Sequence, residues 1–253
     1  MKFVLAFSTG KDSILALHRM IKAGNEPVGL ITTFNADSSH SWFHGTDKAL
    51  LEAIGDSLEI PVILAKTDGT DYNEKFEAAL LRGKELGAEC CVFGDIDIDE
   101  HREWDEKRCS NCGISAVLPL WNENREKLVS ETVAAGYKCL IKCVSREKLP
   151  ESFLGKIIDM PLLEEMRAFG IDLCGENGEY HTVVLGGPIF KKPIKYRLGR
   201  VLNLEHVSAV EVMLIKECPC TNHCHRHGDC EACRAHHAKS KKLPLPFCDR
   251  LEK

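Results

Sequence analysis

The sequence predicts an α/β protein: a mostly parallel, Rossmann-like sheet with helices on both faces, a smaller α+β portion after it, and a short Cys/His-rich tail. Three observations predict this. Strand-length apolar runs alternate with longer stretches in which apolar residues recur every three or four positions, the βαβ rhythm of a covered parallel sheet. The first run, Phe3 to Phe7, passes directly into Ser8-Thr9-Gly10-Lys11-Asp12-Ser13 and then into a helical pattern, as a ligand loop at the carboxyl end of a strand does. Six of the 13 cysteines stand at or after Cys218, interleaved with five histidines.

The elements follow in order. A helix bearing Ile14, Leu15, Leu17 and Ile21 closes at Gly24, since glycine accepts the left-handed backbone of a helix end. Val28 to Phe34 is the second strand. A helix over 47–58 leads to Pro61-Val62-Ile63-Leu64, and another over 72–86 stops at Gly87 before Cys90-Cys91-Val92-Phe93. Helix 102–108 precedes a strand at 116–120, and helix 126–135 stops at Gly136 before a strand at 139–144, read as continuing the parallel rhythm. From Leu149 to Val212 the pattern is less regular, with late strands expected at 183–185 and 210–215.

At 253 residues, 44% hydrophobic and 28% charged, the chain can bury one large core plus an appendage. It has no run of the ~18 apolar residues that a membrane span needs and no secretory pattern at its start. A cytoplasmic location is therefore expected, where cysteines serve metal, chemistry or core packing rather than disulfides. From Cys218 onward seven Lys/Arg stand against four Asp/Glu, so the net charge of −5 divides into about −8 for the body and +3 for the tail. An acidic body disfavours nucleic acid as a partner.

The first loop is an anion site by its surroundings, because unpaired N–H groups and the positive end of a helix dipole converge on it. Lys11 adds a mobile positive charge, and the hydroxyls of Ser8, Thr9 and Ser13 can donate to phosphate oxygens. It is not a Walker A loop, which needs glycine where Leu5 stands and Ser or Thr where Asp12 stands. Thr9, being β-branched, is expected to keep an ordinary backbone angle. The loop from Gly94 to Trp104 lies at a second strand end. There Asp95 points toward the crevice, carboxylates could hold the magnesium of a triphosphate, and Arg102 could neutralise an anion; Asp97 with Glu100 fits a helix capping box. A third loop, Cys174 to Thr182, offers two glycines together with Glu176, Glu179 and His181 as base, metal ligand or amine-binding group.

The opening hexapeptide resembles the S-G-G-K-D-S loop of the PP-loop ATP pyrophosphatases, with Thr9 replacing the first glycine. With the G-D-I-x-x-x-x-H-R-x-W segment from Gly94, Pro119-Leu120-Trp121 and Gly175 to Thr182 in that order, the chain resembles the diphthine ammonia ligase, or diphthamide synthase, family over residues 1–200. The resemblance implies an adenine nucleotide alpha hydrolase-like ATP-binding domain at 1–115, a substrate-binding portion at 116–217 and the tail at 218–253. It also implies a reaction in which ATP, with Mg2+, adenylates a carboxylate on a protein or small molecule, and ammonia then displaces AMP. By carry-over Ser8, Thr9, Gly10, Lys11, Asp12 and Ser13 hold ATP, with Lys11, Asp12, Asp95 and Arg102 as catalytic candidates. Glu176, Asn177, Gly178, Glu179, His181 and Thr182 line the acceptor pocket. One departure bears on the acceptor: where members that act on elongation factor 2 read E-G-G-E-x-E-T, this chain reads Glu176-Asn177-Gly178-Glu179-Tyr180-His181-Thr182. In a bacterium the family reading shifts to a small-molecule amidation, such as one in cobalamin metabolism. A homodimer is compatible with all of this.

Rival readings remain at this stage. Cys109-Ser110-Asn111-Cys112 has the spacing of a tRNA-thiolating pair, and a sensor would bind ATP without turnover. Cys90, Cys91, Cys139 and Cys143 read as core residues. In the tail, Cys220, Cys224, Cys230 and Cys233 are the expected zinc ligands, with an iron–sulfur site as the alternative.

Overall fold

The fold is described from a computed structural model covering residues 1–36, 40–41, 45–215, 220, 224–227, 229–240 and 242–246, with backbone alone at Cys230 and Glu231. The first half alternates as its sequence pattern requires: β1 (Lys2–Ala6), α1 (Lys11–Lys22), β2 (Glu26–Asn35), α2 (Lys48–Leu58), β3 (Val62–Thr67), α3 (Tyr72–Glu85), β4 (Cys90–Val92), α4 (Asp99–Asn111) and β5 (Ser115–Val117). The five strands form one parallel sheet in the order β3-β2-β1-β4-β5, so the chain reverses direction of travel between β1 and β4. Side chains alternate across a strand. Val4, Ile31 and Cys91 meet Phe76, Leu80 and Cys109 of α3 and α4 in one buried cluster. α1 lies with α5 (Arg125–Ala134), and α3 with α4.

The second sheet corrects an expectation. β6 (Cys139–Ser145) does not continue the parallel rhythm; it pairs antiparallel with β7 (Tyr180–Val184) and β9 (Val207–Leu214), and β8 (Tyr196–Asn203) lies outside β9, in the order β7-β6-β9-β8. A helix followed by a strand reads the same for either sheet, because hydrophobic period carries no information about strand direction. β8 escaped notice because its residues, YRLGRVLN, are mostly exposed and lack alternation. α6 (Met160–Arg167) lies between β6 and β7 with Asp159 as its cap, and α7 (Cys230–Ala238) lies in the tail.

By contacts the chain divides into two compact units, one of residues 1–194 and 198–212, the other of 195–197 and 213–253. Among the described residues no helix is long and apolar enough to cross a membrane.

Candidate active site

Two strand ends and one edge strand build the site. The turn after β1 and the turn after β4 come together at the crevice where the strand order reverses, the place at which open α/β sheets bind ligands. Gly94 makes the approach possible: a Cβ there would meet the backbone of Ser13 and Asp12 at 2.9 and 3.0 Å. From the other sheet, edge strand β7 comes alongside the first loop. The Val184 N–H donates to the Thr9 carbonyl at 2.8 Å, and the Lys11 N–H donates to Thr182 Oγ1 at 3.0 Å. These bonds bring residues 174–182 against residues 8–13.

Thr9 is the second correction. It stands at φ 74°, not at an ordinary angle. The left-handed backbone costs a β-branched residue ~1–3 kcal/mol, and tertiary bonds offset it: the side chain is fully buried, its hydroxyl is 2.9 Å from Thr46 Oγ1, and its carbonyl holds β7. Gly10 stands at the cap of α1 with no capping side chain, and Thr182 Oγ1 takes the first-turn N–H of Lys11 instead.

Lys11 is also unlike the expected mobile charge. It is 5% exposed, with Nζ 2.6 Å from Asp12 Oδ2 and 3.5 Å from Glu176 Oε1, and 5.7 Å from the centre of the Tyr180 ring. Burial works to lower its pKa, but Asp12 and its other acidic neighbours hold it well above the usual lysine value. Glu176 is pushed up to about 7 by burial and by Asp12. Asp12, Cys174 and Glu176 bring their ligating atoms within 4.8 Å of one another. The two carboxylates suit a hard ion such as Mg2+; the thiol, which burial keeps protonated at neutral pH, does not.

A cavity of about 460 Å³ opens over these groups. Of the residues expected from sequence, it is lined by Ser8, Lys11, Asp12, Ser13, Asp95, Glu176, Gly178, His181 and Thr182. Thr9 and Gly10 lie behind that lining. Glu179 is buried below it, taking the Asn177 N–H at 3.0 Å and Lys148 Nζ at 3.4 Å. Gly175 and Gly178 both stand at φ 79°, which gives the 174–182 loop its turns. His181 is kept neutral, burial lowering its pKa.

Arg102 lies off the cavity lining, stacked over Trp121 at 4.8 Å and paired with Asp99 at 3.0 Å. Asp97 is not a helix cap: α4 begins after Ile98 without a side-chain cap, and both Asp97 oxygens take Arg125 at 2.6 and 2.7 Å, a bidentate charged pair that outweighs a single cap bond. The sequence reading missed the wall formed by Tyr72, Phe76, His101, Trp104 and Asp105. Cys109 and Cys112 are buried in the cluster beneath α3 and do not line the cavity, which removes the support for thiolation. Of the tail cysteines, Cys220, Cys224 and Cys233 are described, while Cys218, Cys248 and the Cys230 side chain lie outside the described residues.

Comparison with known proteins decides the relationship. The diphthamide synthase N-terminal domain model matches residues 1–116, and the diphthamide synthase C-terminal domain model matches 124–218. The chain belongs to the diphthamide synthase family. It is 27% identical to diphthine–ammonia ligase of Homo sapiens over 219 residues, covering 77% of this chain and 82% of that protein, and 28% identical to the Mus musculus protein over the same shares. The Schizosaccharomyces pombe diphthine–ammonia ligase matches 87% of this chain at 26% identity, which is 39% of its own length. Within the diphthamide synthase family, the shared region thus spans every residue lining the cavity and all of both sheets but Val117 at the end of β5.

Proposed function

We infer that this chain is an ATP-dependent amide-forming ligase that joins ammonia to a carboxylate, releasing AMP and pyrophosphate. The observation that carries the reading is the meeting of the first loop and the acceptor loop in one cavity, with Lys11 held between Asp12 and Glu176. A carboxylate oxygen attacks the α-phosphorus of ATP and pyrophosphate departs. The nitrogen of ammonia then attacks the acyl carbon, the bond to AMP breaks, and the nitrogen releases a proton as the amide forms.

The chain contributes position and charge, the main sources of rate in such transfers. Ser8, Gly10 and Ser13 offer hydroxyl and backbone donors to the departing pyrophosphate, while the Lys11 ammonium neutralises charge formed there. Mg2+ bound at Asp12 and Glu176 would supply further charge neutralisation to the phosphates. Glu176, Gly178, His181 and Thr182 form the acceptor side, with Asn177 and Glu179 supporting the loop from behind. His181, neutral and donor-capable where the family signature carries a carboxylate, favours an acceptor with its own negative charge near that position.

The experiment is to incubate the chain with ATP, magnesium and ammonium chloride against candidate carboxylates, including diphthine on elongation factor 2. Acceptor-dependent AMP release with a mass loss of about one unit, OH replaced by NH2, supports the reading. ATP binding with no AMP from any acceptor would turn it toward a sensor.

A further inference from the structure

The cavity has a wall that neither phosphate nor acceptor binding uses. α4 presents His101, Trp104 and Asp105 on one face, being three and four positions apart, and α3 presents Tyr72 and Phe76 across from them. Three aromatic rings meet there: Trp104 lies 4.9 Å from Phe76 and 5.9 Å from Tyr72 between centres. Among them sits an acid. Asp105 is 3% exposed, and burial together with the neighbouring Asp95 carboxylate raises its pKa. Among the described residues its Oδ2 has no partner. Asp95 is oriented in turn by His101, whose Nδ1 lies 3.0 Å from Asp95 Oδ1.

A buried acceptor atom without a donor is costly to keep, and helix α4 could shed the cost by placing almost any apolar residue at 105. The wall combines one unfilled oxygen acceptor and a neighbouring carboxylate with aromatic faces. Divalent metals prefer full shells of oxygen; a small cation that carries its own N–H donors suits both features, donating to the carboxyl oxygens and resting against the ring faces. The ligase reading above needs one such ion. Ammonia reaches the protein at neutral pH mostly as ammonium.

We propose that Asp95 and Asp105, with the rings of Tyr72, Phe76 and Trp104, form the binding site for the ammonium ion consumed in the reaction; the ion gives one proton to the Asp95 carboxylate, which frees the lone pair that attacks the acyl carbon, and the new amide nitrogen releases a second proton to solvent as AMP leaves. This rests on the amide-forming assignment and adds to it the place from which the nitrogen is delivered. The wall and Glu176 line the same cavity, so the ion waits beside the acceptor rather than crossing the protein to reach it.

The test uses the full chain in two arms. In the first, amide formation is followed against ammonium chloride at saturating ATP and acceptor. Asp105→Leu, which keeps the size of the side chain but offers the ion no oxygen, is expected to raise KM for ammonium about tenfold or more, with ATP affinity in a nucleotide titration held within about twofold. The second arm needs no acceptor: 15N-ammonium chloride is titrated into the ATP-bound protein, against sodium chloride at equal ionic strength. Saturable binding with contacts from the ion to the aromatic protons of Trp104 is expected in the unaltered chain, and its loss in Asp105→Leu. Equal ammonium KM in the two proteins overturns the proposal, as does a loss of ATP affinity in Asp105→Leu matching its loss of amide, which would make the wall a nucleobase site. Absence of AMP formation by the unaltered chain with every acceptor is a different result, and counts against the ligase assignment itself.

Discussion

Removing the Lys11 ammonium leaves the half-buried Asp12 and Glu176 carboxylates near each other without the cation that pairs with both. Lys11→Ala should therefore lower ATP affinity about tenfold or more and cost the fold ~1–3 kcal/mol, because it leaves two half-buried carboxylates without their donor. Adding Glu176→Gln should restore part of the stability and none of the affinity. Denaturant melts and a nucleotide titration separate the two effects, and unchanged affinity in the single variant would contradict the phosphate-loop assignment. Asp105 yields a prediction of opposite sign. Burial and Asp95 raise its pKa from an ordinary 3.8 to about 9, so the folded chain holds a proton there that the unfolded chain has released. Stability from this group is full below about pH 4 and is lost as pH rises toward 9. Asp105→Asn needs no proton, and its melting temperature should gain on that of the unaltered chain steadily from pH 5 to about pH 9; a constant gap would show that Asp105 does not titrate in this range. Ser8, Lys11 and Asp12 were legible because strand, loop and helix start advertise an anion site. Asp105 was not, since in DEHREWDEKR an acid reads as one more charge on a solvated face.

Arg125, at the start of α5, joins two elements of the site. Its guanidinium grips Asp97 before α4 and reaches Asp172 at 2.6 Å and Asn177 Oδ1 at 3.2 Å, while Asp172 in turn accepts the Cys174 and Glu176 N–H groups at 2.9 and 3.3 Å. Arg125→Ala should free the acceptor loop: amide hydrogen exchange should rise across 172–178, and the acceptor KM should increase about tenfold with ATP affinity within about twofold. Unaltered exchange in that segment would show the clasp to be redundant. β7 makes a separate prediction possible, because it carries His181 toward the cavity and Thr182 toward the loop. His181→Glu should change which carboxylate is accepted more than it changes ATP affinity, measured by acceptor screening beside the titration; equal loss of both would put this position at the nucleotide. Nothing in the local sequence announces the clasp, since Arg125 and Asp172 stand 47 positions apart.

At the scale of the molecule, the first sheet was readable almost strand by strand from alternation of period and glycine stops. The second sheet was readable only in its parts, because antiparallel pairing depends on which distant strand arrives beside which. All cavity-lining residues lie before residue 183, whereas the cysteines of the tail begin at 218. Removing residues 218–253 should leave ATP affinity within about threefold and abolish any bound zinc or iron, measured by metal analysis of both chains. Metal retained by the shortened chain would move the metal site into the body.

The bonds from Val184 to Thr9 and from Lys11 to Thr182 set a timetable as well as a geometry. Residues 8–13 leave the ribosome first, but the strand that holds Thr9 in its left-handed turn is made some 170 residues later. Until then the loop has its helix and its lysine yet lacks its backing, and Thr9 has no reason to stay at a costly angle. On the proposed reading, a nascent chain therefore carries the nucleotide motif long before it carries a finished nucleotide site, and cannot begin to spend ATP before residues 174–182 are in place.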